Sequence, residues 1–202
     1  MKRKHRKHLG LIIGVALCSA ISSPAAFADS HKHSKTIEAP AVTESVIEGD
    51  KYSISKIVVH AAPHQIWQVL TDYDNANKVF PQVKKCQLIK EDGHLKTIKH
   101  TVAPSGPVGT YSYVLKVTEK APHSLEWSRV SGAFKQVKGY WKLEPLDHGR
   151  TTLVTYASYV DGGFFVPAPL IRRQNRIDMP AVMVSLKGQV ESKTQIAGKP
   201  LI

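Results

Sequence analysis

Between residues 83 and 160 the chain reads as six short β-type segments, each followed by a cluster of turn-forming residues. Residues 83–90 run into the turn Glu91-Asp92-Gly93 and then residues 94–102. A loop over residues 103–109, holding Pro104, Gly106 and Pro107, opens into residues 110–120. Residues 123–130, 134–146 and 150–160 follow, joined by Ser131-Gly132 and Asp147-His148-Gly149. Apolar residues at a period of two between turn residues mark strands. Connections this short permit hairpins, and strands joined by hairpins are antiparallel. The chain is therefore committed to an antiparallel meander.

The flanks decide what the meander packs against. Residues 51–60 form a β-branched strand in which Tyr52, Ile54, Lys56, Val58 and His60 alternate with Ser53, Ser55, Ile57 and Val59. Ala61-Ala62-Pro63 ends it. Proline is tolerated at the first position of a helix, where its missing N–H does no harm, and Ile66, Trp67, Val69 and Leu70 supply a short apolar stripe. A second short helix is expected over residues 74–79, stopped by Phe80-Pro81. After Asp161-Gly162-Gly163, residues 167–192 place Leu170, Ile171, Ile177, Ala181, Val184 and Leu186 among Arg172, Arg173, Arg176 and Lys187. That is a long amphipathic helix, with a kink expected at Pro180. The order specifies an α+β fold. A strongly curved antiparallel sheet of about seven strands wraps around the long C-terminal helix, with two short helices after the first strand.

The spacing of several residues over nearly all of this domain carries a resemblance. These are Ala62-Pro63 with Ile66-Trp67 and Leu70, Asp72-Tyr73, Phe80-Pro81, Gly139-Tyr140-Trp141-Lys142-Leu143 with Pro145, Gly149-Arg150-Thr151-Thr152 leading to Val154 and Tyr156, and Pro167 before the last helix. In this order they resemble the START-like helix-grip (SRPBCC) superfamily, and within it the polyketide cyclase/dehydrase and coenzyme Q-binding branch. The resemblance implies a cavity between sheet and long helix that takes an apolar molecule such as a lipid, quinone, sterol or polyketide. A fold alone does not supply a function, so the residues must.

The ends of the chain bear on where it works. Residues 1–10 carry five Lys or Arg and no acid, and run into the apolar stretch 11–21. Ala26-Phe27-Ala28 then offers small residues before Asp29, which together is the pattern of a secretory signal peptide over residues 1–28. A spanning helix needs about 20 apolar residues, and Ser19, Ser22, Ser23 and Pro24 interrupt this one. Residues 29–50 read as a flexible polar leader, 51–192 as the ligand-binding domain, and 193–202 as a tail. The protein is expected to be exported, to a periplasm or beyond. Removing five basic residues lowers the formal net charge from +12 to +7. A positive surplus draws a protein toward anionic surfaces, so transient contact with an anionic membrane is expected. Nucleic acid is not an expected partner, because the basic residues are scattered singly and not interleaved with aromatics. Cys86 is the only cysteine left after residue 28, so no internal disulfide can form.

No Ser–His–Asp order, HExxH pattern, glycine-rich phosphate loop or spaced carboxylate pair occurs. No catalytic set, cofactor or metal centre is therefore expected within the domain. Cleavage before Asp29 would leave Asp29-Ser30-His31 at the terminus, a nitrogen set that can wrap Cu(II) or Ni(II) and that also arises by chance. Candidate ligand contacts on strands are Tyr111, Tyr113, Leu115, Trp127, Arg129, Trp141, Val154 and Tyr156. Phe164, Phe165, Leu170, Ile177 and Ala181 are the candidates at and along the helix. Arg129 shares a face with Leu125 and Trp127; it either points inward toward an anionic or carbonyl partner or reaches water at the rim beside Ser131-Gly132. His100 is a further polar candidate on a strand. A binding module holding a hydrophobic molecule is the leading reading; a cyclase or dehydrase pairing Tyr156 with Arg129 in the same cavity is the alternative.

Overall fold

The structure, a computed structural model, describes residues 40–164 and 166–197. The expected signal peptide, the first part of the expected leader, the Asp29-Ser30-His31 set and Phe165 lie outside the described residues.

Eight strands form one antiparallel sheet: β1 (Val42–Ile47), β2 (Asp50–Val59), β3 (Val83–Asp92), β4 (Leu95–Val102), β5 (Tyr111–Lys120), β6 (Ser124–Gly132), β7 (Gln136–Leu146) and β8 (Thr151–Asp161). Their order across the sheet is β1-β2-β8-β7-β6-β5-β4-β3. The six-strand meander stands as the turn residues required. The eighth strand arises where the sequence suggested a flexible leader. β1 pairs with β2 in register Ile47↔Asp50 across a two-residue turn, in which Glu48 and Gly49 both have positive φ, 51° and 84°. That backbone matches the twist of a hairpin. Glutamate at the first turn position hides a signal that asparagine or aspartate would have given.

Between β2 and β3 lie α1 (Pro63–Leu70), a single 3₁₀ turn (Tyr73–Asn75) and α2 (Ala76–Val79). Pro63 occupies the first position of α1, and the Gln65 side chain accepts from the Ala62 N–H at 2.9 Å. This satisfies a donor that the helix start would otherwise orphan. Ile66, Val69 and Leu70 face the core.

The chain ends in α3 (Ala168–Ala197), one helix of 30 residues that runs through Pro180 and on past residue 192, into the segment expected as a tail. Its second half carries the packing: Met183, Leu186 and Val190 are buried. They join Val59, Ile66, Val117, Leu143 and Val154 in one core. α3 is also tied to the end of β2, since Lys187 donates to the Val58 carbonyl at 2.6 Å and Glu191 accepts from the His60 N–H at 2.8 Å. Sheet and helix thus meet closely toward the C-terminal half of α3. Near the start of α3 a space opens between the helix and the 103–109 loop.

Candidate functional site

The gap between sheet and helix follows from which strand residues point inward. Register places Ile98 beside Leu115, His100 beside Tyr113, and Val102 beside Tyr111. On the next strands Leu125 lies beside Trp141 and Trp127 beside Gly139. Beyond them come Trp141 beside Tyr156, Gly139 beside Ser158 and Val137 beside Val160. Alternation sends all of these to one face. Gly139 makes room in that row: a Cβ there would stand 2.3 Å from the Ala157 carbonyl and 2.4 Å from the Trp127 ring. Trp127 therefore lies across the glycine. The two indoles and Tyr156 form an aromatic floor, with Trp141 stacked on Tyr156 at 4.2 Å and Trp127 6.0 Å from it.

Over this floor are two chambers. The inner one, about 190 Å³, is enclosed by Leu70, Ala76, Phe80, Ile98, Leu115 and Trp141, among others. The outer one, about 360 Å³, lies between the 103–109 loop and the first turns of α3, with Pro104, Pro107, Val108, Leu170 and Ile171 on its walls. Gln82, Tyr113, Tyr156, Ser158, Val160 and Val182 line both, so the chambers are contiguous. Phe134 reaches the outer chamber from a left-handed backbone (φ 70°), and its ring packs 4.7 Å from that of Tyr111. A bulky residue rarely adopts that conformation. The ring contacts with Tyr111 and Tyr113 hold it there.

Polar groups gather where the chambers join. Asp178 on α3 accepts from Gln82 Nε2 at 3.3 Å, from the Ser105 N–H at 3.2 Å and from Gln174 Nε2 at 2.8 Å. Asn175 donates to Ser53 Oγ at 3.0 Å. Burial pulls the His100 imidazole down to about 4, so the ring is neutral at neutral pH. Its edge meets the Tyr113 ring at 5.8 Å. Burial likewise pushes the Tyr113 phenol up, and raises Tyr156 to about 12 and the Cys86 thiol to about 12. His100 and Tyr156 retain some accessible surface. That surface opens on the chambers, which is why desolvation still governs both groups.

Most of the residues picked out on the strands converge here. Tyr111 lines the outer chamber, Tyr113 and Tyr156 both, and Leu115, Trp127 and Trp141 the inner one. Val154 is fully buried in the core and lines neither. Arg129 lines neither as well: its guanidinium donates to the carbonyls of Gly132 (2.7 Å) and Ala133 (3.2 Å), bracing the turn that follows β6. It is not brought together with Tyr156 in the chamber lining.

Along α3 the expected face is corrected. Leu170 lines the outer chamber, but Ile177 is 50% exposed and Ala181 is exposed. Each lies two positions from Met179, about 200° around a helix that turns through about 100° per residue. The inward row instead contains Ile171, Asn175, Asp178, Met179 and Val182. Phe164 is 95% exposed and does not line either chamber. Gln82, Gln174, Asn175 and Asp178 were not legible as site residues, because polar side chains on a helix or after a Phe-Pro stop read as solvated surface. Among the described residues no group of three or more His, Cys, Asp or Glu is placed to hold a metal.

Residues 59–186 match a family model described as polyketide cyclase/dehydrase and lipid transport. The chain is 26% identical over 148 residues to the abscisic acid receptor PYL2 of Arabidopsis thaliana, covering 68% of this chain and 77% of the receptor. Among solved structures it resembles the Zhui aromatase/cyclase of Streptomyces sp. R1128, with a TM-score of 0.65 at 14% identity, over 74% of this chain and 98% of that one. It also resembles a STAR-related lipid transfer protein of Xanthomonas axonopodis, with a TM-score of 0.64 at 20% identity, over 77% and 95%. At these identities the two structural likenesses speak to the fold.

Proposed function

This chain belongs to the polyketide cyclase/dehydrase and lipid transport family, within the START-like helix-grip superfamily, and from that membership we propose that it is an exported protein that binds a hydrophobic small molecule between its sheet and α3. The observation that carries the reading is the pair of contiguous chambers with largely apolar walls and few polar groups. Sites for small molecules have this make-up, an apolar lining with a few placed polar atoms. Export is supported by the basic start, apolar stretch and Ala26-Phe27-Ala28 of residues 1–28. The basic surplus of the remaining chain supports brief contact with anionic membranes, where a carrier would load or unload.

His100, Tyr113 and Tyr156 lining the inner chamber support a second reading, a cyclase or dehydrase. Their protonation limits what they could contribute. The buried phenols keep their protons well above neutral pH and the imidazole stays neutral. They are suited to donating hydrogen bonds to a carbonyl and would make poor anionic bases.

Native mass spectrometry of the purified protein, as isolated and after incubation with phospholipids and quinones, tests binding. A stoichiometric mass increase is expected. A protein that arrives empty and takes up neither would overturn the reading, and an altered mass of the bound compound would favour the enzyme. Export is tested by the mature terminus: a chain recovered outside the cytoplasm that begins at Asp29 is expected, and an uncleaved cytoplasmic chain would refute it.

A further inference from the structure

The junction of the two chambers narrows the class of occupant, on the premise that the chambers bind a ligand at all. Gln82 stands just before β3, 9% exposed, and lines both chambers. Its backbone carbonyl already accepts from the Ala103 N–H at 2.8 Å. The side-chain amide can face only one way. A carboxylate accepts and does not donate, so Nε2 must turn toward Asp178 Oδ1, 3.3 Å away. Oε1 is thereby turned elsewhere, and it is buried with no donor among the described residues. A buried carbonyl left without a donor is destabilising. The bond to Asp178 is long for an N–H···O contact and the terminal torsion of glutamine is broad, so a small turn of the amide can present Oε1 to a donor in the chamber while Nε2 stays on Asp178.

The charges at the junction exclude one kind of donor-poor ligand. Neither chamber is lined by a lysine or arginine among the described residues. Arg129 is occupied by the Gly132 and Ala133 carbonyls, and the Lys96 ammonium by Glu91 and the Gly93 carbonyl. His100 is uncharged at neutral pH. An anionic head group would therefore lose its hydration beside the Asp178 carboxylate with no cation to offset the loss. A hydroxyl brings the proton that Oε1 lacks.

We propose that the occupant is a neutral, hydroxyl-bearing apolar molecule whose O–H donates to Gln82 Oε1 at the junction while its apolar body fills the inner chamber. Trp127 and Trp141 line that chamber, so their fluorescence reports occupancy. Three probes share one ring system: naphthalene, 2-naphthol and 2-naphthoate, titrated at pH 7 into the purified protein. Dissociation constants are expected to place 2-naphthol about threefold or more below naphthalene and about tenfold or more below 2-naphthoate, as one neutral hydrogen bond and one unpaired charge imply.

Gln82→Met is expected to erase the advantage of naphthol over naphthalene while leaving naphthalene binding within about twofold, because naphthalene makes no hydrogen bond that the substitution could remove. Asp178→Asn is expected to reduce the discrimination against naphthoate. Naphthoate binding as tightly as naphthol would overturn the inference while leaving ligand binding intact, and so would an unchanged naphthol-to-naphthalene ratio in Gln82→Met. If Gln82→Met does not fold, the wild-type ranking and Asp178→Asn decide. Failure of all three probes to bind would remove the ligand-binding premise together with the inference.

Discussion

Acid should weaken this fold through His100, by an amount that can be worked out beforehand. The ring has an ordinary value of 6.5 and is held at about 4 by burial. Above pH 6.5 the imidazole is neutral in both the folded and the unfolded chain, so it leaves stability unchanged. Below pH 6.5 the unfolded chain takes up a proton that the folded chain refuses. Stability then falls with pH until about 4, where the folded form is protonated too and the loss levels off. The gap between 6.5 and about 4, at about 1.36 kcal/mol per pH unit, corresponds to about 3 kcal/mol. The free surface of the ring faces the chambers, and solvent there would screen the charge, which lowers the working figure to about 2 kcal/mol.

Urea unfolding in pH steps from 7 to 4, on wild type and on His100→Phe, isolates the effect. Other carboxylates and histidines contribute to both proteins and cancel in the difference. Wild type is expected to lose about 2 kcal/mol more than the variant across that window. Parallel pH profiles for the two proteins, or an NMR titration of His100 centred near 6.5, would refute the burial of the ring.

Two substitutions test the surrounding architecture. Gly139→Ala drives a methyl against the Ala157 carbonyl and the Trp127 ring; a loss of about 1–3 kcal/mol is expected, with a change in Trp fluorescence, and an unperturbed variant would show that the ring does not lie across the glycine. Thr152→Val removes the buried hydroxyl that donates to the Ala61 carbonyl at 2.7 Å; it should cost about 1–3 kcal/mol in chemical denaturation because that carbonyl is left unsatisfied, and a neutral result would mean another donor replaces it.

The meander could be read because its determinants are local. Each turn announces itself in Gly, Asp or Pro, and Tyr111, Tyr113, Leu115 and Val117 keep strict alternation on a face that is indeed buried or half-buried. β1 was missed for want of both signals: it is an edge strand with Thr43, Ser45 and Val46 exposed, so no face selects for apolar residues. For α3 the difficulty is deeper. Hydropathy assigns apolar side chains to the interior, whereas the first half of this helix turns Asn175 and Asp178 toward the chambers and Ile177 toward solvent. A polar junction inverts the usual sorting, and only three-dimensional packing shows which row faces in. Arg129 illustrates a third limit. Its strand face was readable, but the carbonyls that capture its guanidinium come from the turn three and four residues later, and a linear pattern does not encode the shape of that turn.

The sheet joins distant parts of the chain at one seam, where β2 meets β8 and Ile54 sits opposite Ala157. α3, the last element, then walls the outer chamber along one side and reaches the inner one at Val182. Without this helix the outer chamber would lose the wall formed by Leu170, Ile171, Asp178 and Met179. Met183, Leu186 and Val190 tie the same helix into the core, so the element that walls the outer chamber is also one the fold depends on.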